Sequence, residues 1–163
     1  MTETERQSLQ QACDGLIEGQ NSLLLASINP AGKPDISYAP YVRDQNGFYI
    51  FVSELAKHTQ NLLSHPHTSV LFIEPEVCAA NPFARLRLTL DCRVQEISKT
   101  AFQYSQTLDA MAAKFGETVT LLRSLPDFHL LLLAPQSGQF VAGFGKAFPV
   151  DATGRLLWSP LRT

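Results

Sequence analysis

Residues 85–95, RLRLTLDCRVQ, give the clearest structural signal in the sequence. Apolar and polar side chains alternate strictly along this stretch. The apolar set is Leu86, Leu88, Leu90, Cys92 and Val94. Because neighbouring side chains of a β-strand point to opposite faces, this alternation predicts a strand with one face in a core and the other face polar.

Short apolar runs separated by turn residues predict further strands on both sides of this segment. The dipeptide Asn46-Gly47 favours a tight hairpin, because both residue types tolerate positive φ. A second turn is predicted at residues 135–138, PQSG. The predicted strands span 22–28, 35–42, 48–53, 68–73, 128–133, 139–148 and 155–158.

Helical periodicity appears in three places. It predicts an N-terminal helix within residues 1–20, a short helix over 54–65, and a helical excursion over 99–125. Strands do not alternate regularly with helices, so a doubly wound parallel sheet is not expected. The order favours an α+β protein in which residues 1–163 form one domain, with an antiparallel sheet or barrel and helices packed at its ends.

Composition excludes several classes of protein. The 163 residues are 45% hydrophobic and 17% charged, which excludes a disordered chain. A formal net charge of −2 argues against nucleic-acid binding. No apolar run approaches the roughly 18–20 residues that span a bilayer, which argues against a membrane protein. The polar start of the chain and three widely spaced cysteines predict a cytoplasmic protein.

The stretch from Ser53 to His58 is a candidate anion site, because a predicted strand leads there into a predicted helix. Backbone N–H groups at a helix start attract anions, and Lys57 and His58 would add donors. The alternative is that Ser53 is an ordinary N-cap followed by solvated residues. Both interpretations stay open at this level.

Other polar groups give weaker signals. Arg85, Arg87 and Arg93 on one strand face could bind a phosphate or carboxylate, or could be a solvated face. The four histidines show no metal-ligand spacing with acids or cysteines. Among them, His129 fits a satisfied core or interface histidine better than a ligand. The sequence assigns no catalytic acid, base or metal ligand.

The segment 138–148, GQFVAGFGKAF, is rich in glycine and phenylalanine. It lacks the full dinucleotide-binding pattern and the helix that would follow it. Glycines inside a strand indicate bulges, or close approach of another backbone or a flat ligand. Phe140, Phe144 and Phe148 could therefore be plain core residues or could line a planar cofactor.

Several segments taken in order resemble the FMN-binding split β-barrel superfamily that includes pyridoxamine 5′-phosphate oxidase. Within it, the sequence is most similar to the haem-utilisation proteins of the HugZ/HutZ type. The resemblance covers about Leu23 to Val150. Its carriers are 37–41 (SYAPY), 53–62 (SELAKHTQNL), 84–90 (ARLRLTL), 126–129 (PDFH) and 138–148.

The resemblance implies a homodimer of antiparallel six-stranded split β-barrels with flanking helices. It also implies a small-molecule cofactor, FMN or haem, at the subunit seam. Flavin-binding relatives hold the phosphate with basic residues that match Lys57 and His58, with a contribution at the Arg85 position. The remaining cofactor-binding residues that it implies are Tyr38, Ala39, Pro40, Val52, Ser53 and Asp127.

Two departures from the family pattern bear on function. Flavin-using oxidases usually place another base on the second strand, where this sequence has Asp35. Haem-degrading members use a histidine in a C-terminal tail, partnered by the acid that matches Asp127, and no histidine follows His129 here. The resemblance thus implies a flavin- or haem-binding cytoplasmic oxidoreductase. The alternatives are a non-catalytic haem or flavin carrier dimer, and a cofactor-free structural or regulatory dimer.

Overall fold

The computed structural model describes residues 1–158, which form four α-helices and seven β-strands. Two short 3-10 turns, Glu76–Cys78 and Pro82–Ala84, lie between β4 and β5. The elements in chain order are α1 Glu3–Glu18, β1 Ser22–Ile28, β2 Pro34–Asp44, β3 Gly47–Ser53, α2 Lys57–Ser64, β4 His67–Ile73, β5 Arg87–Glu96, α3 Phe102–Phe115, α4 Glu117–Arg123, β6 Phe128–Val141 and β7 Ala147–Asp151.

Six of these strands form a closed antiparallel barrel, so the predicted α+β split barrel is confirmed. The sheet order is β3-β2-β1-β4-β5-β6-β7, and β3 also pairs with β6. That pairing runs from Phe48↔Leu133 to Ser53↔Phe128 and closes the ring. Strand β7 pairs with β6 outside the ring. Closure leaves the six barrel strands without a free sheet edge over most of their length.

The prediction of a turn at residues 135–138 is wrong, because these residues lie within strand β6. It runs unbroken through Pro135, and its register against β5 shifts between Asp91 and Cys92. Cys92 pairs with Pro135 and Asp91 with Ser137, so Gln136 is the bulged residue. Proline is tolerated at such a bulge because no ladder hydrogen bond requires its missing N–H.

The predicted strand over 139–148 is in fact two strands joined by a turn. Strand β6 ends at Val141, and β7 begins at Ala147 after a turn that contains Gly143 and Gly145. Phe140 is fully buried in the barrel, whereas Phe144 on the turn is 70% exposed. Phe148 packs edge-on against Trp158. These phenylalanines therefore do not share one face that could line a planar cofactor.

The apolar side chains form two clusters, one inside the barrel and one outside it. The inner cluster fills the barrel and is covered at one end by Cys13, Leu16 and Ile17 of α1. The outer cluster lies between α3, α4 and the outward face of β3 and β6. Its buried members are Tyr49, Ile97, Tyr104, Leu108, Met111, Val119, Leu130 and Leu132.

The described helices include none that is both long and apolar enough to cross a membrane.

Candidate functional site

Strands β2 and β3 separate on the side of the barrel that carries α2, and this split forms the centre of the candidate site. Their pairing extends only from Asp44↔Gly47 to Tyr41↔Ile50. If that register continued, Tyr38 would lie opposite Ser53, but the two strands are not paired there. Each strand keeps its other neighbour, because β2 still pairs with β1 and β3 with β6.

The split brings the predicted site segments into relation. Tyr38, Ala39 and Pro40 form its β2 side, while Val52 and Ser53 form its β3 side. Tyr38 is 65% exposed, whereas Ala39 and Val52 are buried in the barrel. Only the backbone of the two buried residues would therefore border a bound group, as the family resemblance implies.

The turn of residues 53–56, here called the β3–α2 turn, is held by the side chain of Ser53. Its hydroxyl donates a 2.6 Å hydrogen bond to Asp127 Oδ2 and accepts one of 3.1 Å from the Leu55 N–H. The Glu54 N–H also donates to the Asp127 carbonyl, at 2.9 Å. Two segments that lie 74 residues apart in the chain thus meet at this turn.

Ser53 is not the N-cap of α2, so that prediction is wrong. The helix begins at Lys57, and its N-cap residue Ala56 makes no side-chain capping bond. The Thr59 hydroxyl instead donates a 2.6 Å hydrogen bond to the Ser53 carbonyl. Ser53 therefore fixes the turn before the helix rather than the helix itself.

Lys57 and His58 differ in their surroundings, although they are adjacent. Lys57 is exposed and makes no ion pair among residues 1–158. His58 is partly buried, and its Nε2 atom is enclosed without a hydrogen-bond partner in the same part of the chain. Burial lowers the pKa of the His58 imidazole from its ordinary value of 6.5, because the charged form loses hydration.

Asp35 is occupied by contacts within the chain. Its Oδ2 atom accepts a 3.0 Å hydrogen bond from the Asn61 amide of α2, which also donates to the Ser27 hydroxyl at 3.0 Å. Close by on β2, the enclosed Ser37 hydroxyl has no partner within residues 1–158. The position where flavin oxidases usually carry a base therefore fastens α2 to β1 and β2.

Arg85 does not join Lys57 and His58. The strand predicted over residues 85–95 starts later, because β5 begins at Arg87. Arg85 directly follows a 3-10 turn, and its guanidinium donates to the Glu74 carbonyl through Nε and a terminal nitrogen. Strand β5 approaches the β3–α2 turn at its other end, where Glu96 pairs with Leu131, so the length of β5 separates Arg85 from that turn.

His129 is a further candidate site residue, to which the sequence analysis assigned only a structural role. It lies two residues after Asp127, and its backbone pairs with Val52. Its Nδ1 atom lies 2.6 Å from Glu96 Oε1 and its Nε2 atom 2.8 Å from Glu54 Oε1. The available signal was its place in the PDFH segment, since both carboxylates lie far away in sequence.

No group of three or more histidine, cysteine, aspartate or glutamate side chains within the described residues is arranged to hold a metal ion. Of the other histidines, His65 and His67 are exposed at the end of α2 and the start of β4. The site thus consists of a split in the barrel, one exposed lysine, one enclosed imidazole and several carboxylates.

Comparison with known proteins agrees with this architecture. The family model described as pyridoxamine 5′-phosphate oxidase matches residues 9–142, which is most of the chain. This chain belongs to the pyridoxamine 5′-phosphate oxidase family. The match covers the whole barrel up to the end of β6, including both sides of the split.

Individual relatives place the chain near the HutZ branch of that family. It is 38% identical over 132 residues to "Heme oxygenase HutZ" of Vibrio cholerae serotype O1, covering 81% of this chain and 75% of HutZ. A crystal structure of Vibrio cholerae HutZ, titled as the heme storage protein, matches at 36% identity and a TM-score of 0.73. That match covers 88% of this chain and 96% of the other.

A second solved structure, ChuZ of Campylobacter jejuni, is 28% identical with a TM-score of 0.83. The match covers 96% of this chain and 66% of ChuZ. The likeness to the HugZ/HutZ type that the sequence motifs predict is therefore confirmed by both kinds of comparison.

Proposed function

We propose that this member of the pyridoxamine 5′-phosphate oxidase family binds haem in the split between β2 and β3. The observation that carries the proposal is the split itself, where β2 and β3 stop pairing beyond Tyr41↔Ile50, with the exposed Lys57 at the start of α2 after the β3–α2 turn. The names of HutZ as heme oxygenase and heme storage protein support the choice of haem.

The charges around the split favour haem over FMN. Within the described residues, Lys57, Lys99 and the His129 imidazole are the cationic groups near the β3–α2 turn, because Arg85 lies at the far end of β5. Four carboxylates lie in the same region, those of Asp35, Glu54, Glu96 and Asp127. A phosphate dianion buried there would meet a net negative field, whereas a porphyrin can direct its carboxylates to solvent.

FMN is the second candidate cofactor, and Lys57 is the observation that favours it. An exposed lysine in the first turn of a helix is well placed for an anion, since the helix N-terminus adds partial positive charge. The resemblance to the FMN-binding split β-barrel superfamily supports the same cofactor. Bound haem would supply a redox-active iron and bound FMN a redox-active ring, while Ser53, Lys57 and His58 would only hold and orient them.

We further propose that two copies pair through the outward face of β1 and β2. This face carries large exposed apolar side chains, with Ile36 at 78% and Tyr38 at 65% exposure, and α3 and α4 cover a different part of the barrel. Leu24 and Ile28 continue the same face on β1, since Leu24 pairs with Tyr38. A dimer formed there would place Tyr38, and hence the split, at the subunit seam.

We infer a cytoplasmic oxidoreductase as the activity of the haem-bound dimer, with a non-catalytic haem carrier as the alternative. The two names given to HutZ, heme oxygenase and heme storage protein, correspond to these two alternatives. Incubation of the haemin complex with a reductant in air separates them. Loss of the haem absorbance with release of iron supports an enzyme, whereas a stable spectrum supports a carrier.

A spectroscopic titration tests the binding proposal. The purified chain is titrated with haemin and, separately, with FMN, and the absorbance bands of the bound forms give the two affinities. We expect haemin to bind more tightly than FMN. Lys57→Ala should weaken both, while Lys146→Ala, which removes an exposed lysine on the β6–β7 turn, should change neither. A chain that binds neither compound overturns the proposal.

Ser53→Ala provides a second test of the same site. The substitution removes the hydrogen bond to Asp127 and the one from the Leu55 N–H. We expect weaker haemin binding together with a loss of about 1.5–3 kcal/mol of unfolding free energy, the size expected for a hydrogen bond to a charged group. Full haemin affinity in this variant would remove the β3–α2 turn from the site.

A further inference from the structure

His129 links three elements through its side chain. The ring lies between Glu54 of the β3–α2 turn and Glu96 at the end of β5, at 2.8 Å and 2.6 Å. The His129 side chain is 17% exposed, whereas the two carboxylates are about half exposed. The backbone of His129 is already held by its pairing with Val52, so the ring contacts are additional to the barrel itself.

The geometry requires both ring nitrogens to carry a proton. A carboxylate can only accept a hydrogen bond, and a neutral imidazole has a single N–H. Because each ring nitrogen faces a carboxylate oxygen, a neutral ring would place the lone pair of its unprotonated nitrogen next to an oxygen lone pair, and the two would repel. The imidazolium avoids this, and accordingly hydrogen bonds to Glu96 and Glu54 raise the pKa of His129 from its ordinary 6.5.

Few other charged groups face this ring. Asp127 lies in the turn just before β6 and binds Ser53, while Lys99, after β5, donates to the Pro126 carbonyl at 3.0 Å. Lys57 begins α2, three residues after Glu54. A released Glu54 carboxylate would therefore compete with the anionic groups of the cofactor for the Lys57 ammonium.

We propose that His129 is a positioning residue that draws the Glu54 carboxylate towards β5 and β6 and so leaves Lys57 free to bind the anionic groups of the cofactor. This inference rests on the proposed function and adds to it a determinant of affinity. When His129 loses its proton, Glu54 is released. The carboxylate then pairs with Lys57 or repels the cofactor anion, and the affinity falls.

The direction of the pH dependence follows from this arrangement. Below the titration of His129 the imidazolium holds Glu54, and binding is tight. As the pH rises through that titration, we expect the affinity for haemin to fall by about fivefold, the upper range for one exposed ion pair that competes for one lysine. The same loss is expected for FMN, because both ligands carry anionic groups.

The test compares four proteins at the same pH, from about pH 6 to pH 9. Haemin affinity is measured for the wild type and for His129→Gln, His129→Arg and Glu54→Gln. His129→Gln should weaken haemin binding at the low end of the pH range and leave no pH dependence beyond that of haemin itself. His129→Arg keeps a cation at this position, and Glu54→Gln removes the competing carboxylate. Both variants should therefore bind haemin tightly across the pH range.

Separate outcomes distinguish this inference from the proposed function. A His129→Gln protein with the wild-type affinity profile would overturn the positioning role while leaving haem binding intact. If the wild type binds neither haemin nor FMN at any pH, the proposed function fails, and the positioning role fails with it. Glu54→Gln keeps the His129 ring, so it tests the same role should the histidine variants fail to fold.

An NMR titration of the apo protein gives a readout that needs no cofactor. The His129 ring should titrate above the ordinary histidine range in the wild type and at lower pH in Glu54→Gln, because one carboxylate contact is lost. An unshifted His129 titration in the wild type would contradict the imidazolium and therefore the proposal.

Discussion

Asn61 donates a 3.0 Å hydrogen bond to Asp35, and this contact joins α2 to the start of β2. Asn61 is buried and also donates to Ser27, so its amide has both protons engaged. The carboxylate of Asp35 thus has a structural partner, at the same strand position where flavin-using relatives place a base. The Asp35 side chain thus stabilises the contact between α2 and β2, and its negative charge also disfavours a bound phosphate.

Exchange of Asp35 should therefore separate its two effects. Asp35→Asn keeps an oxygen for the Asn61 amide but removes the charge. We expect FMN affinity to rise about fivefold. This corresponds to removal of the roughly 1 kcal/mol by which two like unit charges repel each other at short range in a solvent-like dielectric. Stability should stay near that of the wild type. Asp35→Ala, the comparison variant, should lower the unfolding free energy because Asn61 loses an acceptor.

His58 and His129 should give stability opposite pH dependences. Because burial lowers the pKa of His58, the unfolded chain binds protons there more readily than the folded one, and this contribution to stability is lost as the pH falls below 6.5. The raised pKa of His129 has the opposite sign, so its contribution is present below 6.5 and is lost as the pH rises through the raised value.

Urea unfolding as a function of pH measures both contributions. His58→Gln should flatten the stability decrease on the acidic side of 6.5, and His129→Gln the decrease on the basic side. His65→Gln, at an exposed position near the end of α2, serves as the control and should leave the profile unchanged. Identical profiles for all three variants would contradict the assignment.

Gly138 should not tolerate a larger residue. A Cβ atom there would lie 2.4 Å from the Thr89 carbonyl oxygen and 2.6 Å from Leu90 Cδ2, because β5 approaches closely beside the bulge. We expect Gly138→Ala to lower the unfolding free energy by about 1–3 kcal/mol. Gly15→Ala, in helix α1 with open space around it, should instead stabilise by up to about 1 kcal/mol. Urea midpoints measured at constant slope decide between these outcomes.

Charge on the β1–β2 face should prevent the proposed dimer. Ile36→Glu places a carboxylate at the most exposed apolar position of this face. We expect the mass measured by sedimentation to fall from that of two chains to that of one. Leu121→Glu on α4, which changes a residue of similar exposure outside the face, should remain dimeric. A wild type that sediments as a single chain would contradict the proposed interface.

Features with a local sequence signal were predictable. The alternation that defines β5 and the Asn46-Gly47 turn between β2 and β3 both depend on neighbouring residues, and both are confirmed. The continuous strand β6 was missed, because Pro135 and Gly138 look like turn residues until a bulge opposite Asp91 and Cys92 accommodates them. Only the partner strand distinguishes a bulge from a turn.

The site was predictable in part for the same reason. The family resemblance predicted Ser53, Lys57 and Asp127 as site residues, and the hydrogen bond between Ser53 and Asp127 shows that two distant motifs meet. Arg85 was assigned to the site by the family resemblance, but it lies before β5 and its guanidinium donates to the Glu74 carbonyl. His129 was set aside because its partners lie 33 and 75 residues away, beyond the reach of any local pattern.

The pairing of β3 with β6 has a consequence for synthesis on the ribosome. Ser53 cannot form its hydrogen bond until Asp127, 74 residues further along the chain, has been translated. At roughly 5–20 residues per second this takes about 4–15 s. During that interval one edge of β3 is exposed and available to other nascent chains. Aggregation during expression should therefore depend on translation speed between β3 and β6, and slow codons in that interval should lower the yield of folded protein.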